Sequence, residues 1–142
     1  MCLALYLFTD VSVALSDWDE SRPAMYISPV SEPESSLRTW VPDASHIYYI
    51  GSSEGCGCGW RPVHDWDDSA YAANKMKDRA ALVELLRDER FGGSHLIICW
   101  EGDQGAELER REQLVVSALQ SADFELEERV DYVLHGDTPR GC

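Results

Sequence analysis

Basic residues are scarce in this chain. Twelve lysines and arginines stand against 26 aspartates and glutamates in 142 residues, a net charge of −14. A face that displaces counterions from a phosphate backbone needs clustered positive charge. The densest basic group is Lys75, Lys77 and Arg79, whose spacing predicts a solvated helix face. A nucleic-acid role is therefore excluded. The acidity reads as a device for solubility, with a cationic partner or a divalent metal as the alternative.

Long apolar runs are missing as well. No window approaches the 18 uncharged apolar residues that a membrane-spanning helix requires, so no membrane role is expected. The opening Met-Cys-Leu-Ala-Leu-Tyr-Leu-Phe has no basic residue before its apolar stretch and meets Thr9-Asp10 at once. It reads as a first strand and not as an export signal, which makes the cytoplasm the expected compartment. Cysteine is sparse and odd in number: Cys2, Cys56, Cys58, Cys99 and Cys142. In a reducing compartment these are thiols or metal ligands, not a disulfide framework. Repeats, low-complexity tracts and linkers are absent, so residues 1–142 read as one domain, large enough to bury a core.

What is present is an alternation of apolar segments. Cys2–Phe8 is continuously apolar, as for a strand covered on both faces. Ala24–Ser28 is a short strand stopped by Pro29, which suggests a sheet edge. A helical turn is expected over 34–40, with Trp40 packed inward. His46–Gly51 and His95–Trp100 read as buried strands. Asp67-Asp68-Ser69 supplies N-cap candidates for a helix over about 70–90, with Met76, Ala80, Val83 and Leu86 on its apolar face. Leu108, Val115, Leu119 and Ala122 share one helical face, predicting a second long helix over about 106–122. Alternation from Phe124 to Leu134 predicts a last, half-exposed strand. The order β-β-β-α-β-α-β implies an α/β domain with a mixed or mainly parallel sheet and two long helices.

The sharpest local feature is Gly55-Cys56-Gly57-Cys58-Gly59-Trp60. Ligands of parallel sheets sit outside the carboxyl ends of the strands. That rule gathers the segment from Ser52 to Trp60, the turn Glu101-Gly102-Asp103 and the segment His135-Gly136-Asp137 at one edge, joined by Thr9 and Asp10 if the first strand is parallel too. The expected ligand-binding residues are Ser52, Ser53, Glu54, Gly55, Gly57, Gly59, Trp60, Glu101, Asp103 and His135.

Three chemistries compete for this loop. Cys56, Cys58 and His64 can hold a thiophilic metal such as zinc or Cu(I), although a single C-x-C pair is not the commoner zinc spacing. Cys99, inside an apolar strand, joins them only if its side chain reaches the sheet edge. Alternatively the glycines form a nest of N–H groups that stabilises a thiolate, and Cys56 or Cys58 is then the nucleophile of a redox or transfer enzyme. Nearby carboxylates oppose that thiolate. In the third reading the loop is structural, its cysteines packed under Trp60 and Trp66, and the acidic surface serves protein interaction. The partner is a small molecule, a metal or a protein.

Two short segments resemble known motifs. Tyr48-Tyr49-Ile50-Gly51-Ser52 resembles the second half of the motif of GIY-YIG nucleases, but no upstream Gly-x-Tyr accompanies it and Arg61 lies in a proline-containing loop. Met1-Cys2 resembles the start of N-terminal-nucleophile amidohydrolases, whose four-layer fold is far longer than this chain. Both are set aside, and Cys2 is expected to be a buried residue at a strand start. The sequence thus implies an undetermined small domain with a ligand- or metal-binding Gly-Cys loop.

Overall fold

The computed structural model describes residues 2–30 and 34–136. Asp137 and Cys142 lie outside the described residues. Six strands form a single sheet: β1 (Leu3–Thr9), β2 (Tyr26–Pro29), β3 (His46–Gly51), β4 (His95–Trp100), β5 (Arg110–Val115) and β6 (Val130–His135). Their spatial order is β2-β3-β1-β4-β6-β5. Every neighbouring pair is antiparallel except β5 and β6.

This overturns the expectation of a mainly parallel sheet with two long helices. The helices are α1 (Glu34–Leu37), a single turn, and α2 (Ser69–Leu86). Residues 106–122 hold a turn, strand β5 and a 3-10 turn over Val116–Gln120 instead of a helix. The apolar residues of this segment fit a strand equally well: Leu114 points into the core and Val115 out of it. Pairing of β5 along β6 decides between the two, a choice made by tertiary contacts.

Residue alternation along the strands builds two apolar layers. On one face Leu3, Leu5, Leu7, Leu96 and Ile98 meet Leu82, Val83 and Leu86 of α2. On the other, Ala4, Tyr6, Phe8, Ile97 and Cys99 meet Leu37, Trp40, Val41 and Ala44. Central β1 is buried at every position, as its unbroken apolar run implies.

Helix α2 starts where its cap demands: Asp68 accepts a 2.8 Å hydrogen bond from the Tyr71 N–H. Its buried face differs from the expected one. Lys75, Asp78 and Arg79 are buried while Met76 is exposed. The basic group read as a solvated face thus sends two of its three members inward, because each finds partners there. Lys75 bonds Asp67 and the Pro62 carbonyl, both at 2.9 Å. The Arg79 guanidinium donates to the carbonyls of Trp60, Leu119, Ser121 and Phe124. Among the described residues no helix is long and apolar enough to cross a membrane.

Candidate metal centre at the start of the central strand

Antiparallel pairing fixes what meets at each sheet edge. Leu3 pairs with Trp100, and Leu5 with Ile50. The beginning of β1 therefore lies beside the ends of β3 and β4. Cys2, the loop from Ser52 to Trp60 and the turn after Trp100 share this edge. The link is direct: the Glu101 N–H donates to the Cys2 carbonyl at 2.8 Å. At the opposite edge lie Thr9 and Asp10, with His46 and His95. His135 lies there too, because β6 runs antiparallel to β4, and its ring bonds Gln113.

The loop is wound around Ser52. Its hydroxyl donates to the Cys56 carbonyl at 2.6 Å and accepts the N–H groups of Glu54 and Gly59, each at 3.2 Å. Ser53 anchors the loop to α2, its N–H and hydroxyl both donating to Asp78 at 3.0 and 2.8 Å. Burial pushes the Asp78 carboxyl up, against the two bonds from Ser53 that lower it. Trp60 is buried and its indole N–H donates to the Ile50 carbonyl at 3.0 Å. Residues 57–60 then form a 3-10 turn capped by Cys56, whose sulfur accepts the Cys58 N–H at 3.5 Å.

The glycines serve close approach. A Cβ on Gly57 would lie 2.4 Å from the Leu3 carbonyl oxygen, and one on Gly59 2.4 Å from the Ser52 hydroxyl. Only Gly55 of the three has a positive φ, at 84°. Because the N–H groups of Glu54, Gly55 and Gly59 all bond to Ser52, they are not turned outward as an anion nest.

The result is a cluster of sulfurs. The Sγ atoms of Cys2, Cys56 and Cys58 all lie within 4.8 Å of one another, close enough to hold a metal ion. All three residues are half-buried. Among the described residues, no histidine, carboxylate or further cysteine donor joins them at that distance. The thiols are unequal. Burial pushes Cys56 up to about 12. Cys58 is also opposed by burial, yet a backbone hydrogen bond at Leu3, its two thiol neighbours and the Arg61 charge hold it below the ordinary thiol value.

The other expected site residues divide. Glu101 and Asp103 stand on the turn at this edge, and the Glu101 charge bears on Tyr26 and Tyr49, whose hydroxyls titrate above the usual range chiefly through burial. His64 is not in the cluster; it stacks on Trp66 at 4.3 Å. Trp66 is 80% exposed, so the packing of the cysteines under it does not occur. Cys99 is fully buried in β4, its thiol pushed up to about 12 by burial. Cys2 is the residue that sequence reasoning missed. A parallel sheet would place it at the far edge from the Gly-Cys loop, and only the reversed direction of β1 brings it back.

Comparison of the chain with family models, curated proteins and solved structures gave no match.

Proposed function

We propose that the protein binds a thiophilic metal ion, zinc in first place, through Cys2, Cys56 and Cys58. The observation that carries this reading is the mutual approach of three sulfurs within 4.8 Å on two chain segments far apart in sequence. Thiolate donors select zinc or Cu(I) over the hard cations. Two further features support it. Gly57 leaves room for the loop to lie directly on the Leu3 backbone, and Ser52 fixes the loop's path independently of any ion. A metal would bring three thiols, one of them already low in pKa, to the thiolate form and release their protons.

Elemental analysis of protein purified under reducing conditions tests the reading. About one equivalent of zinc per chain is expected, falling below about 0.1 in a Cys2→Ser/Cys56→Ser/Cys58→Ser variant. Equal metal contents in the two proteins would sink it.

One observation favours a second reading, a thiol-dependent redox or transfer enzyme. The Cys56 and Cys58 sulfurs lie within 4.8 Å of each other in one loop, the pairing expected of an attacking thiol and a resolving thiol. Labelling of the metal-free protein against pH separates the two. The enzyme reading requires Cys58 to react with a midpoint below about 8.5.

A further inference from the structure

A small cavity of about 160 Å³ lies between α2 and the segment that leads into β2. Its helical wall is a single stripe, with Asn74, Lys77, Asp78 and Ala81 recurring at i, i+3, i+4 and i+7. Pro23, Ala24 and Met25 supply an apolar wall, and Ser53 completes the lining.

Asp78 is only half used by the fold. It is 2% exposed, and both hydrogen bonds from Ser53 go to one of its oxygens, Oδ2. The other oxygen, Oδ1, has no hydrogen-bond partner among the described residues. It is not sealed in the core either. Arg79 Nε is the one side-chain polar atom among the described residues that is both sealed off and unpaired. Oδ1 is therefore an acceptor that the cavity presents. A buried carboxylate oxygen without a donor is costly, and an ammonium supplies both the donor and the opposite charge.

Lys77 is the only other charged residue in the lining. It is exposed where Asp78 is buried, so it stands at the mouth, and it forms no ion pair among the described residues. Its charge and that of Glu54, which lies outside the lining, bear on Asp78 in opposite senses. A simple cation would gain from Asp78 and lose from Lys77. A ligand with one charge of each sign gains from both. A cavity of about 150 Å³ takes a molecule the size of benzene, so about six non-hydrogen atoms fit here.

We infer that this cavity binds a small zwitterion, an α-amino acid with a short aliphatic side chain. Its ammonium donates to Asp78 Oδ1, its carboxylate lies by Lys77, and its side chain meets Met25 and Ala81. The site is independent of the metal, since no cysteine lines it.

Chemical-shift titration of the isotope-labelled full chain tests the assignment, with L-alanine as the probe. Alanine should bind saturably and shift the resonances of Met25, Asn74 and Ala81. Lactate carries a hydroxyl in place of the ammonium, and alaninamide an amide in place of the carboxylate. Each should bind about tenfold more weakly, the worth of one charge-assisted hydrogen bond. Asp78→Asn keeps an acceptor for Ser53 but turns an amide toward the ligand, and should lose about tenfold or more of the alanine affinity. Exposed Lys77→Met should bind alanine and alaninamide alike. Absence of saturable shifts with alanine, shifts confined to other parts of the chain, or equal binding of lactate would overturn the assignment. So would a Lys77→Met protein that still prefers alanine to alaninamide, or a folded Asp78→Asn protein with unchanged affinity. The analogue series and Lys77→Met decide the matter even where Asp78→Asn does not fold.

Discussion

Gly57 rests on the backbone of Leu3, so closely that a methyl group at its Cα would lie 2.4 Å from the Leu3 carbonyl oxygen. Backbone cannot swing aside as a side chain does. This contact positions Cys56 and Cys58 against Cys2, the residue preceding Leu3. Gly57→Ala should therefore separate the sulfurs while leaving every thiol in place. The expected outcome is a fold destabilised by about 1–3 kcal/mol, as for other overpacked sites, together with a loss of zinc retention measured by elemental analysis.

The four cysteines among the described residues should behave in two classes. Cys2→Ser removes a donor from the cluster and should abolish stoichiometric zinc binding. Cys99→Ser lies in the opposite apolar layer, fully buried, and should keep the metal. Its cost falls on stability instead, about 1–3 kcal/mol for a hydroxyl placed among apolar neighbours. Parallel urea melts and metal analyses check both halves.

Arg79 is the polar tie beneath the loop. It is buried, has no ion-pair partner among the described residues, and donates to four main-chain carbonyls, one of them on Trp60. Burial pulls its pKa down, with the Asp123 charge opposing. Arg79→Met leaves several buried carbonyls unpaired, at about 1–3 kcal/mol each, and should cost at least about 3 kcal/mol in chemical denaturation. Lysine cannot reach four acceptors in that fork geometry, so Arg79→Lys should recover little of the loss.

Acid should weaken the fold through Asp131. This buried carboxylate accepts from His95 Nδ1 at 2.6 Å and from Arg111 Nε at 3.0 Å. Burial raises its pKa, but the His95 and Arg111 bonds and charges outweigh it and hold the group below the usual carboxylate value. The folded state thus binds this proton less well than the unfolded chain. Its contribution is complete above the ordinary aspartate pKa of about 3.9 and disappears as pH falls through the lower folded-state value. Denaturation midpoints measured from pH 6 downward should decline less steeply in Asp131→Asn than in the parent, from a lower starting point.

Much of the sheet was legible in the sequence. The bounds expected for the strands at 46–51 and 95–100 coincide with β3 and β4, and Pro29 ends the edge strand β2. Asp68 was readable as a cap because its carboxylate acts within three residues. Strand direction was not legible. It depends on pairings between residues such as Leu3 and Trp100, and nothing local in either segment records them. That one ambiguity put Cys2 at the far edge from Cys56 and Cys58 and brought His135 to the near one. Two buried charges were hidden for a related reason. Lys75 and Arg79 read as surface residues until the carbonyls that receive them, from distant loops, are in place.

The central claim is that three sulfurs hold one metal ion, and X-ray absorption at the zinc edge of the zinc-loaded protein tests it most directly. About three Zn–S distances near 2.3 Å are expected, with at most one lighter donor. A first shell of nitrogen and oxygen near 2.0–2.1 Å, carrying no more than one sulfur, would contradict it.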